Sequence, residues 1–522
     1  MTKQSISGSF LALCMAVAGG AGCAGGSMGA TSGGAQDNGL AQTQINQGVV
    51  PKPDAFTVEG LLNQYDLPLE SLPCTTDLCI DAGYGVAPVL VRDRSGVFVQ
   101  LGFSSGIDPA TFHRLPLNLS VLVDRSGSMA GDKITSVKQA LVHLIDQLGA
   151  SDRLSIVLFD DRVDVLVETT FVTDPASLKS AVNLIAARGA TNMAQGLRTA
   201  TTLVQANGGQ PGISDRVIVF TDALTNTGDT DQSTFITIAT GNAAQNIGIT
   251  LFGVGADLNQ DLVLAITGMR GGNYFFLSSA ARIATVFDTD FDYLVTPLAY
   301  DLQFLLQPAS GFVITAVYGF PSWRTGSTNV QFTIPSVFLS QNHGAIVVRL
   351  DPISGAWPSG QCPLADLSMT YTPAAGGTPV TQALEAAYSA TAPLSDNTIF
   401  YSQRSVRKAV ALVNEALAEE QASSYYWNKT ATIDTAIALL EKTRTMLLSE
   451  SKEIEDTDLA TEAANLLKLE NNMRYGTSSS STYDQQPMAC SFAMGGSGHT
   501  SALASASALA LLALLRRRSR RN

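Results

Sequence analysis

Five oxygen-bearing side chains in three short segments hold the chemistry of this chain. Asp124, Ser126 and Ser128 stand at alternate positions where the apolar run Leu117–Val123 gives out (LNLSVLVDRSGSM). Thr191 lies in Gly189–Asn192, just ahead of a helical run at Met193–Val204, and Asp222 closes a second apolar run, Arg216–Thr221. Carboxylates and hydroxyls are hard oxygen donors, suited to Mg²⁺, Mn²⁺ or Ca²⁺ rather than to soft metals. Two carboxylates balance one divalent cation, and neutral hydroxyls in the inner shell leave that cation electrophilic.

Taken alone, D-x-S-x-S is equally explained by capping of the helix that starts near Lys133. The elements around the other residues argue for more. Both aspartates sit on the C-terminal lip of a buried strand, the edge where open α/β sheets bind ligands. Further strands are read at Leu154–Phe159, Val163–Val167, Ile249–Val254 and Tyr274–Leu277. Helices are read at Ser177–Ile185, Phe235–Gln245, Asp261–Thr267 and Ile283–Leu294. Near-continuous apolar strands interleaved with helices predict an α/β fold, a doubly wound, mostly parallel sheet flanked by helices.

With these residues in this order, the region from about Leu117 to Leu294 resembles a von Willebrand factor A-type domain. The set Asp124, Ser126, Ser128, Thr191 and Asp222 resembles that family's metal-ion-dependent adhesion site, with all five positions matching. The resemblance implies that Ser126, Ser128 and Thr191 coordinate Mg²⁺ directly or through water, and that Asp124 and Asp222 act largely through water. It implies that a protein ligand completes the shell with an Asp or Glu, and that the last helix of the domain shifts on binding.

No general base stands beside these residues, so binding is a simpler reading than catalysis. The chain has four histidines, none in H-E-x-x-H, and it has neither G-x-S-x-G nor a Walker-type loop. It is therefore not expected to be an enzyme. Asp160-Asp161 and Asp229/Asp231 read as turn or surface carboxylates.

The 522 residues suggest roughly two to four domains. A net charge of −13 argues against nucleic acid as a partner and otherwise reads as a soluble acidic surface. Residues 1–23 read as a signal peptide: Lys3, an apolar stretch Phe10–Ala18, and Gly20–Cys23. That last box partly resembles a bacterial lipoprotein cleavage site, with Gly20 where a larger aliphatic residue is usual; ordinary cleavage is the alternative to a lipidated Cys23. Residues 24–53, rich in Gly, Ala, Ser, Gln and Asn, read as a flexible linker.

Residues 54–115 form a β region, with strands Val86–Arg92 and Val97–Phe103 about a turn at 93–96. The metal-site domain occupies 116–298. Residues 299–390 read as a β-sandwich region, with strands at Leu302–Leu306, Phe312–Tyr318, Val330–Ile334, Ala345–Leu350 and Leu367–Thr372. The N-terminal strands are too few to bury a core alone, so both β regions are predicted to share one sandwich with the metal-site domain inserted. Residues 391–475 are helical: Val406, Val410, Val413 and Leu417 make one apolar stripe, and Ile433, Ile437 and Leu440 another.

A linker at 476–489 leads to an anchor segment at 490–522, with Cys490, an apolar run Ala502–Leu515 and five terminal arginines. The run is short against the roughly 20 residues of a membrane-spanning helix. A transmembrane anchor with a basic stop is one reading. The combination also resembles the C-terminal sorting segment of myxobacterial surface proteins, which implies processing near Cys490 and anchoring at the cell surface or outer membrane. Cys74 and Cys79 have room for a short disulfide in an oxidising compartment, and Cys362 is then free or pairs with one of them. The whole describes an exported, surface-anchored protein that takes an acidic ligand group at a Mg²⁺ site. The alternative is a structural or assembly component of the cell envelope whose domain a metal stabilises.

Overall fold

The computed structural model describes residues 28–475, apart from 71–72, 93, 320–328, 358 and 392. The expected signal peptide and C-terminal anchor segment lie outside the described residues. The chain begins with β1 (Met28–Ser32), α1 (Gly39–Asn46) and α2 (Val58–Gln64), followed by the hairpin β2 (Cys79–Val89) and β3 (Arg94–Ser105). The central unit then runs β4 (Leu117–Asp124), α3 (Asp132–Gln147), β5 (Arg153–Phe159), β6 (Val163–Phe171), α4 (Pro175–Asn183) and α5 (Met193–Gln205). It continues with β7 (Ser214–Thr221), α6 (Gln232–Ala244), β8 (Gly248–Gly253), α7 (Gln260–Thr267), β9 (Asn273–Phe276), α8 (Ala280–Ala284) and α9 (Phe291–Leu294). Six strands follow: β10 (Pro297–Pro308), β11 (Phe312–Tyr318), β12 (Val330–Ser340), β13 (Ala345–Pro352), β14 (Cys362–Pro373) and β15 (Val380–Tyr388). A short β16 (Phe400–Tyr401) leads into α10 (Arg404–Asn428), α11 (Ile433–Ile454) and α12 (Thr457–Tyr475).

The central sheet has the order β6-β5-β4-β7-β8-β9, parallel throughout except for the antiparallel edge strand β6. Every residue of β4 is buried, as a strand covered by helices on both faces requires. Its side chains alternate: Leu119, Val121 and Val123 face α3, whereas Leu122 joins Leu197 of α5 in the opposite layer. The chain leaves β4 toward β5 on one side and returns to β7 on the other. The crevice at the C-terminal ends of β4 and β7 is thus a topological switch point, and it is where the ligand-type residues sit. The last helix expected over 283–294 is divided: α8 and α9 are separated by a π-helical turn at Thr285–Thr289.

The strands before and after this unit hydrogen-bond into one antiparallel sheet of ten strands. β3 lies between β2, paired along its whole length, and β13, paired from Ala345↔Gly102 to Leu350↔Val97. The sheet folds over at β1, which touches β3 only at Met28 and Gly29 and then runs along β12. Its two halves close on one core, where the rings of Phe103 and Phe304 meet edge-on at 6.1 Å and those of Tyr84 and Tyr388 at 6.0 Å. The hairpin reverses earlier than the expected 93–96, because Val89 already pairs with Arg94. The outer face of the β2–β3–β13 half is covered by α10, with Phe98 and Val347 packed among Val406, Val410 and Val413, and α11 and α12 pack on α10.

The stretch read as a flexible linker, 24–53, is a correction over its described part. β1 is a buried strand, and α1 buries Leu40, Ala41 and Ile45. Small residues are what its position demands: a Cβ on Gly29 would lie 2.1 Å from the carbonyl oxygen of Asn342. The same segment joins the two sheets, since the Tyr274 amide donates to the Gly34 carbonyl at 2.8 Å. Among the described residues, no helix is long and apolar enough to cross a membrane. Cys74 and Cys79 form a disulfide, and Cys362 is free.

Candidate metal centre

β4 carries Asp124 to the lip of the sheet, where it is fully buried. Its carboxylate accepts the Ser126 amide at 2.9 Å and the Thr221 hydroxyl at 2.7 Å. These bonds fold the next residues back, so that Ser126 Oγ lies 3.0 Å from Ser128 Oγ. Ser126 is buried and Ser128 is exposed, which sets the hydroxyl pair at the boundary with solvent. The loop bearing Thr191 is stapled alongside. Gly127 donates to the Gly189 carbonyl at 3.0 Å, and Arg188 donates to the Arg125 carbonyl at 2.6 Å. Asn226 fixes Thr191 itself, its Oδ1 accepting the Thr191 amide at 2.8 Å.

Thr191 Oγ1 is buried without a hydrogen-bond partner. A buried hydroxyl left unpaired costs about 1–3 kcal/mol, so its acceptor lone pairs are available to a cation at this spot. Asp222 follows β7 and is fully buried. Ala223 turns the chain in the left-handed region at φ 56°, and the Leu224 amide donates to Asp222 Oδ1 at 3.2 Å. Burial raises the Asp124 carboxyl to about 6, with the neighbouring Asp222 charge adding to the rise and hydrogen bonds from Thr221 and Ser126 opposing it. A divalent cation beside Asp124 would offset the cost of burying its charge.

A cation of the chain itself already stands at the site. Lys133, at the start of α3, places Nζ 2.9 Å from Asp222 Oδ2 and 2.7 Å from Asp257 Oδ1. The residues fit a hard divalent ion. Ser126, Ser128 and Thr191 would hold it, Asp124 and Asp222 would balance it, and a bound ion would supply Lewis-acid attraction for an incoming carboxylate. Only two of the five are carboxylates, and no group of three His, Cys, Asp or Glu side chains gathers at a metal-binding position among the described residues.

Sequence reasoning missed the residues that hold the site together. Asp160, read as a turn or surface carboxylate, is fully buried and binds Arg125 Nε at 2.6 Å and Arg188 Nε at 2.8 Å. It thereby fastens the Asp124–Ser128 loop to the Thr191 loop. The signal was present: Asp160 ends the apolar run of β5 as Asp124 and Asp222 end β4 and β7. Asp161, Asp229 and Asp231 are exposed, as read.

Residues 118–289 match the family model described as von Willebrand factor type A domain, and the central unit has that family's α/β fold. The chain is 31% identical over 176 residues to an uncharacterized protein of Synechocystis sp., covering 33% of this chain and 40% of that one. It is 26% identical over 241 residues to inter-alpha-trypsin inhibitor heavy chain H2 of Sus scrofa, covering 45% of this chain and 25% of that one. A solved structure, a von Willebrand factor type A protein from Catenulispora acidiphila, aligns over 78% of this chain and 98% of its own, with 14% identity and a TM-score of 0.48. The chain spans less than half the length of these curated relatives.

Proposed function

We propose that this protein is a divalent-metal-dependent, adhesion-type binding protein, in which Mg²⁺ held by Ser126, Ser128 and Thr191 takes an Asp or Glu from a protein ligand. The observation that carries this reading is the buried, unpartnered hydroxyl of Thr191 beside a serine pair and two buried carboxylates. Mn²⁺ or Ca²⁺ can replace Mg²⁺ on the same donor chemistry. A binding role is supported by the engagement of the charged groups: Asp124 accepts from Thr221 and Ser126, and Lys133 pairs with Asp222 and Asp257. We place the protein at the cell surface, supported by the export-type N-terminal sequence, the Cys490 segment with its arginines, and a disulfide suited to an oxidising compartment.

The test is thermal unfolding of the chain with Mg²⁺, Mn²⁺, Ca²⁺ or a chelator, beside Asp124→Ala. Ligand that binds only the folded state adds about 2.7 kcal/mol of stability at a hundredfold excess over Kd. A metal-dependent rise in Tm that vanishes in the variant is expected. A parent chain indifferent to all three ions overturns the reading. The second reading, a structural envelope component, is favoured by Lys133, which partly neutralises the site from within. Metal-dependent stability without metal-dependent capture of any acidic peptide would select it.

A further inference from the structure

A groove of about 400 Å³ opens at the loop that follows β8. One wall is the loop after β8, with Asp257, Asn259 and Gln260; the other is the segment after α1, with Val49 and Lys52, closed at its end by Trp427 of α10. The loop wall is tied to the site already described. Asp257 shares Lys133 with Asp222, and the Asn259 amide donates to the Asp222 carbonyl at 3.2 Å. Lys133 and this backbone bond thus link Asp222 directly to the groove's loop wall.

The groove has the features of a pocket for a side chain. Trp427 keeps 46% of its surface exposed and Val49 41%. The indole is nonetheless fixed, because its N–H donates to the carbonyls of Val50 and Pro51 at 3.2 and 3.0 Å. A rigid aromatic face presented to solvent is the type of surface that anchors binding partners at low entropic cost. The walls are tied together across the floor by Gln44, whose amide donates to the Ala256 carbonyl at 2.6 Å. Gln260 Oε1 is buried in the same wall without a hydrogen-bond partner. The lining is acidic, with Asp54, Asp257 and Asp261 against the single Lys52.

We propose that this groove is the specificity pocket of the metal centre. It takes an apolar or aromatic side chain onto Trp427 and Val49, and a cationic side chain between Asp54 and Asp261. Both come from the peptide segment whose Asp or Glu completes the metal shell. The partner is thus a protein presenting an acidic residue and, a few positions away, an apolar–basic pair. This rests on the metal-centre reading above and adds the recognition that a lone carboxylate contact lacks.

The probe is a displayed library of random dodecamer peptides, selected on the full chain in Mg²⁺. Selected peptides are then measured against the parent, Trp427→Ala, Val49→Lys and Ser126→Ala. Val49→Lys fills the groove from an exposed position, so it reads the pocket even where loss of the indole disturbs folding. The expected result is peptides with one acidic residue and an apolar–basic pair, bound only with Mg²⁺, and weakened about tenfold or more by both groove variants. Magnesium-dependent binding that neither groove variant changes overturns the pocket and leaves the metal reading standing. Binding lost in the groove variants but indifferent to chelator and to Ser126→Ala overturns the metal reading, and with it the coupled site. A selection that returns no binder overturns both.

Discussion

Asp160 is the residue whose replacement most sharply tests how the candidate metal centre is built. Burial alone would raise its carboxyl. Hydrogen bonds from Arg188, the Arg162 amide and Arg125 instead bring it from 3.8 down to about 2. A shift of that size corresponds to about 2–3 kcal/mol held by the charged form. Asp160→Asn keeps the shape and removes the charge. Arg125 and Arg188 each retain Asp164, so the loss stays below the roughly 3–5 kcal/mol of a buried ion pair broken outright. The predicted loss is therefore about 2–3 kcal/mol in urea unfolding at neutral pH.

The sign of the pH dependence follows from the same shift. The folded carboxyl lies below its ordinary value, so its contribution is complete above about pH 4 and disappears as pH falls through about 2. Parent and variant converge in stability at the acid end. Because Asp160 fastens the two hydroxyl-bearing loops, calorimetry should also show Mn²⁺ affinity lowered about tenfold, equivalent to about 1.4 kcal/mol. A variant as stable as the parent at pH 7, with unchanged Mn²⁺ affinity, would refute the claim that this carboxylate positions Ser126, Ser128 and Thr191.

Other perturbations have equally definite outcomes. Lys133→Met removes the internal counter-charge on Asp222 and should tighten Mn²⁺ binding about tenfold by calorimetry; weaker binding would show that the ammonium supports the site rather than competing with the ion. Leu466→Ala, in the interior of the helical region, should cost about 2–5 kcal/mol in denaturant unfolding. Replacing Cys74 and Cys79 by Ala opens a short loop and should cost about 2 kcal/mol, seen as a lower urea midpoint with unchanged Mn²⁺ affinity.

The parts of the fold legible in the sequence are those where one physical signal dominates. β4, β5, β7 and β8 are continuous apolar runs ending in oxygen side chains or glycine, and they could be read with their order and their helices. The helical stripe Val406–Val410–Val413 was legible because all three residues turn to one side and pack on the sheet. β1 was not legible. Its sequence, Met28–Ser32, has the composition of a linker, and only contact with the Asn342 backbone shows why small residues are needed there. The break between α8 and α9 was hidden too, because the apolar pattern of Ile283, Val286, Phe287 and Phe291 survives a single π turn.

At the candidate metal centre, the five proposed donors stood out through their residue types, Asp124 and Asp222 closing buried strands and the three hydroxyls in loops beside them. Their supports did not: Lys133 marked only the start of a helix and Asp160 read as a turn or surface carboxylate, until tertiary contacts brought Asp222 to the first and Arg125 and Arg188 to the second. Long-range ion pairs have no local periodicity to betray them. An acidic residue closing a buried strand is the one local clue, and Asp160 carried it.

The most direct test of the central claim is the structure of the protein crystallised with Mn²⁺, read by anomalous scattering at the manganese edge. One ion bound by the hydroxyls of Ser126, Ser128 and Thr191 is expected, with Lys133 drawn off Asp222 and a carboxylate or water in the open position. Absence of manganese at these residues, with Lys133 still seated on Asp222, would contradict the claim.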